Sequence, residues 1–383
     1  MTAKDNQVAI FGTYKQSGLY SRNQVLISSL KQLGWKVNEY QSGLQHNETV
    51  YKHSGSFSLL RTALNELVNT LSLFRYLFRI RKEKIVLVLY PTIFNIYLVK
   101  LMMLGKKHVL VADIFISLVD TIFDDRQLLK TSIIKKLLFY IEQKSFQLSD
   151  ALLIDTDSHK KSVCDYYHLN SKEVHSIPVG IDETTWKPAP QKVPFENRLK
   201  VIYWGTYIPL HGLENVINAI AKLKNKEALF DFTFVGTGQC YEDIHSMIVS
   251  NEIKNINLIN EILAPIQLYD LAVQHHLALG IFGTSTKASN VVPYKVTQAL
   301  AANLPILTRY STSYSHLSDE NSIYYVHQCT PDEIAEKLLL IYHQFNESIT
   351  PIDSHNIYEK YFSNAMITRK IDRVFSNLHS ESI

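Results

Sequence analysis

The chain has 383 residues, too many for one ordinary core and suited to two domains of roughly 150–200 residues each. Hydrophobic residues make up 46% and charged residues 20%, which is globular usage and excludes a disordered or fibrous protein. A formal net charge of +3 is too small to argue for nucleic acid as a partner. Cys164, Cys240 and Cys329 are odd in number and far apart, so neither a metal spacing nor a disulfide framework follows, and a reducing, cytoplasmic compartment is expected. No secretory signal is read at the start. The longest apolar candidate, residues 90–104, contains Lys100 and falls short of a spanning helix.

Taken in order, the chain alternates strand and helix twice. Residues 8–11 read as a strand, residues 22–33 as a helix stopped by Gly34, and residues 35–40 as a second strand. The loop between, residues 13–21, lacks the G-x-G-x-x-G spacing of a dinucleotide site. A helical pattern over 59–80 ends in Arg75, Arg79, Arg81, Lys82 and Lys84 among Phe74, Tyr76, Leu77 and Phe78. That composition suits a face docked on anionic lipid, but its poor amphipathicity favours a solvated helix end. Strands follow at 85–90, 107–112, 151–154 and 174–177, with helices at 131–148 and 158–168. Asp113, directly after a strand, is expected to face a crevice or to cap a helix.

Three prolines in 187–197 mark the best linker. Beyond it, strands are expected at 200–204, 231–235, 257–259, 277–282, 304–307 and 322–326, with helices at 212–223, 266–273 and 331–345. Between the strands at 277–282 and 304–307, Val296, Ala299 and Leu300 form a helical stripe after Pro293, and Asn303 is a helix C-cap. A last helix, 354–378, has no strand after it. Two doubly wound α/β domains with a cleft between them follow, with ligands expected at the carboxyl ends of the strands. The expected division is 1–186, a linker at 187–198, a second domain at 199–350, and a C-terminal helix within 351–383 packing back on the first domain.

Three loops of the second half leave strands toward one edge: 205–212, 236–238 and 283–292. Each is rich in Gly, Thr or Ser, so backbone amides can approach a ligand closely. Lys295 stands in the first turn of its helix, where a cation opposes the macrodipole by ~0.3–1 kcal/mol unless an anion is bound there. A phosphate role for Lys295 is therefore expected, with Lys287 as a second cation. Gln298 lies three residues on, on the same helical side.

These stretches resemble a known family. Gln298-Ala299-Leu300-Ala301-Ala302-Asn303-Leu304-Pro305 is similar to the motif of GT-B glycosyltransferases of the retaining family 4 type, in which two glutamates are separated by seven residues. Trp204 to Gly212 resembles that family's first glycine turn, Phe234-Val235-Gly236-Thr237-Gly238 its second, and Ile177 to Asp182 the close of its first domain. The similarity covers most of residues 8–345. Asn290 stands in place of the first glutamate and Gln298 in place of the second, while Thr206 or Tyr207 and His211 stand where the family has arginine and lysine.

The resemblance implies a GT-B fold and transfer of a sugar from a nucleotide diphosphate donor to a glycan or lipid-linked acceptor, as in polysaccharide or glycoconjugate biosynthesis. It implies donor binding by Gly205, Thr206, His211, Gly236, Thr237, Lys287, Val292, Lys295 and Gln298, with Gln298 on the ribose and Asn290 toward the sugar. Asp113, Lys295 and Asn290 form the expected catalytic group, and Gly12, Thr13, Tyr14 and Gly18 the acceptor side. No metal and no cofactor beyond the sugar nucleotide is expected, and peripheral contact with an anionic membrane fits a lipid-linked acceptor. Two alternatives stand beside this reading: a sugar-nucleotide epimerase, and a non-catalytic GT-B subunit supporting a partner transferase.

Overall fold

The computed structural model describes residues 6–14, 21–42, 56–126, 131–191, 193–285, 287–315, 317, 322–347 and 353–381. The chain divides into two compact units, residues 1–180 with 364–383, and residues 181–363.

The first unit runs β1 (Gln7–Gly12), α1 (Ser21–Gln32), β2 (Lys36–Gln41), α2 (Ser56–Ser72), α3 (Leu77–Ile80), β3 (Ile85–Val88), α4 (Ile93–Met102), β4 (Val109–Asp113), α5 (Ser132–Gln147), β5 (Ala151–Ile154), α6 (Asp157–Tyr167) and β6 (Val174–Ser176). Its six strands are parallel, in the order β2-β1-β3-β4-β5-β6. The inner strands are almost entirely apolar, IVLV in β3 and ALLI in β5, because helices cover both faces of the sheet. Each such side chain contributes about 1.5–3 kcal/mol on burial. One face packs α3 to α6 through Ile80, Ile96, Val99, Phe146 and Val163. The other packs α1 and the C-terminal helix through Val25, Leu30, Ile367, Ile371 and Phe375.

The second unit runs β7 (Leu199–Trp204), α7 (Leu213–Lys222), β8 (Phe230–Val235), α8 (Tyr241–Ser250), β9 (Ile256–Ile259), α9 (Pro265–Ala272), β10 (Leu277–Leu279), α10 (Tyr294–Ala301), β11 (Ile306–Arg309), β12 (Ile323–Val326), α11 (Pro331–Asn346) and α12 (Ser354–Tyr361). Its sheet is again six-stranded and parallel, in the order β12-β11-β10-β7-β8-β9. α7 forms because Leu213, Val216, Ile217 and Ile220 put one apolar stripe on the core. Asn303 takes the left-handed conformation that ends α10, and its Oδ1 accepts from the Ser354 amide at 2.8 Å, tying α12 to it.

Differences from the sequence reading are local. The helix expected over 59–80 is broken into α2, a 3-10 turn at Leu73–Tyr76, and α3. The last helix is two: α12, and α13 (Asn364–Glu381), which belongs with the first unit. The proline-rich stretch lies against the second unit, where the Ala189 amide donates to the Ala302 carbonyl and Phe195 packs edge-on to His276. Just before it, Trp186 stacks on Trp204.

Candidate functional site

In the second sheet the chain moves outward from β7 through β8 to β9, then restarts at β10 on the other flank of β7. The junction of β7 and β10 is therefore the topological switch point, where loops part and leave room for a ligand. The three glycine-containing loops leave β7, β8 and β10, which are neighbours there.

These loops meet main chain to main chain. The Tyr207 amide donates to the Thr237 carbonyl at 3.0 Å, the Cys240 amide to the Tyr207 carbonyl at 3.1 Å, and the Phe282 amide to the His211 carbonyl at 2.9 Å. Gly236 sits at φ +137, and a Cβ there would stand 1.9 Å from the Gly205 carbonyl oxygen. A Cβ on Gly283 would stand 2.2 Å from the Leu210 carbonyl oxygen. Glycine is required at these contacts because no side chain fits between the two strands of backbone.

Lys295 enters this junction from the first turn of α10. The residue is 6% exposed, and its Nζ has no hydrogen-bond partner. The ammonium lies 4.1 Å from the centre of the Tyr203 ring, and 3.1 Å from where a Cβ on Gly205 would be. Burial pushes its pKa well below that of an ordinary lysine. The Tyr203 hydroxyl is hydrogen-bonded to His211 Nδ1 at 2.7 Å, so the ring beneath the lysine is held in place from the next turn. Gln298 Oε1 accepts from Trp204 Nε1 at 2.9 Å, which turns the donor end of its amide away from the indole. A buried cation without a counter-charge, beside glycine turns and a helix N-terminus, is built to receive an anion.

The structure thus brings together Lys295, Gly205, Gly236, Thr237 and His211, with Gln298 one turn along α10 from Lys295. Thr206 offers its carbonyl to the Tyr203 hydroxyl at 3.4 Å. Asn290 and Lys287 are half-buried in the loop after β10. The Asn290 amide donates to the Lys287 carbonyl at 2.9 Å, and its own carbonyl accepts from Ser313 Oγ at 2.7 Å. Val292 is buried in the apolar core with Val296 and Leu300, so its side chain serves packing. Tyr203 is not among the expected site residues, and Trp204 is read only as the start of the first glycine turn. Their position, as the last residues of the strand at the switch point, was the available signal.

In the first unit, the switch point lies between β1 and β3. Gly12 ends β1 there, and a Cβ on it would come within 3.2 Å of Asn95 Nδ2. Thr13 Oγ1 accepts from Asn95 Nδ2 at 3.2 Å and donates to Glu66 Oε2 at 3.1 Å. Tyr14 is buried and donates its hydroxyl to Glu39 at 3.0 Å. Gly18 lies outside the described residues.

Asp113 is fully buried and engaged by Arg22, whose Nη2 donates to Oδ1 at 2.7 Å and whose Nε donates to both oxygens at 2.9 Å. Arg22 Nη1 donates to the Ile177 carbonyl at 2.6 Å. Burial pushes the Asp113 carboxyl up and the guanidinium opposes it. This carboxylate neutralises a buried arginine. Beside it, Asp155 Oδ1 and His159 Nδ1 lie 2.6 Å apart.

No protein-family model matches the sequence, and no curated protein matches it. Solved structures do match in fold. Sucrose-phosphate synthase from Thermosynechococcus elongatus superposes with a TM-score of 0.75 at 11% identity, covering 99% of this chain and 100% of that one. Anabaena HepE, solved in complex with UDP-glucose, gives 0.67 at 11% identity over 97% of this chain and 99% of that one. A glycosyltransferase from Rickettsia africae gives 0.64 at 13% identity over 98% and 99%. The fold of this chain is that of the GT-B proteins: two Rossmann-like units, each on a six-stranded parallel sheet.

Proposed function

We propose that this chain is a glycosyltransferase that moves a sugar from a nucleotide diphosphate donor to a glycan or lipid-linked acceptor, with retention at the anomeric carbon. The observation that carries the reading is Lys295, a buried ammonium with no hydrogen-bond partner at the switch point of the second sheet. Structures of this fold include one solved with UDP-glucose, which supports a sugar nucleotide as the anion. Fold alone does not assign an activity, so the site carries the argument.

In the transfer, the bond between the anomeric carbon and the β-phosphate oxygen breaks, and its electron pair stays on the phosphate. The acceptor hydroxyl supplies the new oxygen, and its proton passes to the departing phosphate oxygen. Negative charge therefore grows on the diphosphate. Lys295, the first-turn amides of α10 and the glycine-turn amides are pre-positioned to stabilise it, an effect worth ~2.7–4 kcal/mol per well-aimed donor. We assign this charge to protein groups and not to a metal. Gln298 hydrogen-bonds the ribose, and Lys287 and Asn290 contribute from the loop after β10.

The test is a thermal-shift series with UDP-, GDP- and ADP-glucose, followed by assay of nucleoside diphosphate release with and without glycan and lipid-linked acceptors. At a hundred times its Kd a donor stabilises by ≈ 2.7 kcal/mol. One donor should raise the unfolding midpoint and be turned over with an acceptor. An epimerised nucleotide sugar formed without acceptor would instead mark an epimerase. Asn290 and Gln298, amides where the resembling family has carboxylates, favour one second reading, the non-catalytic subunit. Absence of any donor shift would select it.

A further inference from the structure

We infer that the outer layer of the first unit, formed by α2, α3, α4 and α5, is a docking surface for an anionic lipid bilayer. The inference does not rest on the proposed transfer reaction. α2 touches α4, and α4 touches α5, while α3 and α4 pack on the same sheet face as α5. Over residues 64–72, where the side chains of α2 are described, the apolar residues are turned outward: Leu64, Leu67, Val68 and Leu71 are exposed, while Asn69 and Thr70 are buried. That inverts the usual amphipathic arrangement, in which the apolar stripe faces the core. Phe78, on α3, is 81% exposed. On α5, Ile133 (76% exposed), Leu137 and Tyr140 repeat the pattern, and α4 adds Phe94 and Leu101 between them.

Charge decides what covers this face. The exposed charges of described residues 64–84, 93–107 and 131–148 are all positive, among them Arg79, Lys82, Lys84, Lys107, Lys136 and Lys144. The acidic residues in the same stretches are Glu66, Glu83 and Glu142, and none is exposed. Glu66 accepts from Thr13, Glu83 from Tyr40, and Glu142 from Ser117. Apolar rows with interspersed cations match a membrane interface, where apolar side chains enter the acyl boundary and cations meet anionic headgroups. A second copy of the chain would bring two cationic faces together, so a bilayer is the complementary occupant. No described helix is long and apolar enough to cross a membrane, so the contact is one of lying on the surface.

The experiment is co-sedimentation of the full chain with vesicles of phosphatidylcholine alone and of an equimolar mixture with phosphatidylglycerol. Each cation near the surface is worth about fivefold in affinity. The protein should bind the mixed vesicles far better than the neutral ones and release them in high salt. The triple variant R79Q/K82Q/K136Q should bind roughly a hundredfold more weakly, and the pair F78S/I133S should also lose binding. All five positions are at or near the surface, and unchanged circular dichroism and unfolding midpoint show that the variants are folded. Failure of the wild type to bind mixed vesicles would overturn the inference. So would equal binding to both vesicle types, or unchanged binding of F78S/I133S. Self-association of the wild type that F78S/I133S abolishes would assign the face to a second copy instead.

Discussion

The Lys295 ammonium lies over the ring of Tyr203, 4.1 Å from its centre, and no hydrogen bond neutralises it. A cation on a tyrosine face gains roughly 0.5–2 kcal/mol, less than a buried charge loses on leaving water. The residue therefore burdens the fold by itself, and its retention makes sense through what it binds.

Replacing Lys295 by Met should stabilise the free protein by about 1–3 kcal/mol, the cost of an unsatisfied buried polar group. The sign of the pH dependence follows from the lowered pKa. Between the folded-state value and the ordinary lysine value, the unfolded chain binds more protons, so wild-type stability rises with pH across that window. Urea unfolding at neutral and alkaline pH should show this rise in the wild type and its loss in K295M.

Donor binding should carry the opposite pH signature. The diphosphate needs the charged ammonium, so binding above the free-state pKa of Lys295 must take up a proton. Affinity should fall by up to tenfold per pH unit as pH rises through that region. Calorimetry in buffers of different ionisation enthalpy measures the uptake, and K295M should show none from this site.

Gly236→Ala should disrupt the junction of the glycine turns, because its Cβ would meet the Gly205 carbonyl oxygen at 1.9 Å. Overpacking and a strained backbone together should cost about 2–5 kcal/mol. Thermal unfolding measures that loss, and nucleotide affinity should fall with it as the Gly205 turn is displaced.

Asp113→Asn would leave the Arg22 guanidinium buried without a full counter-charge. Breaking a buried pair from one side costs about 3–5 kcal/mol. The unfolding midpoint should drop sharply while the folded variant keeps its turnover per folded molecule, which separates a structural carboxylate from a catalytic one.

Most strands and helices were legible because parallel strands covered on both faces read as short apolar runs between helical stripes. Lys295 was legible as a cation in a first helical turn. Its burial was not, because that depends on Tyr203 and Gly205, about ninety residues away and brought close only by the β7–β10 junction. Asp113 read as a crevice residue or a helix cap because nothing local announces Arg22 as its partner. The break between α12 and α13 was hidden for a similar reason. Phe362 packs in the second unit and Ile367 in the first, and that change of partner is not written in the local sequence. The α2 stripe shows the converse, since outward and inward leucines have the same spacing.

The most direct measurement is calorimetric titration of UDP, GDP and ADP into the wild type and K295M. At least one nucleotide should bind the wild type, and K295M should weaken it by roughly a hundredfold or more, a loss of ~2.7 kcal/mol. Equal affinity in the two proteins, or no binding of any nucleotide to the wild type, would contradict Lys295 as the diphosphate anchor.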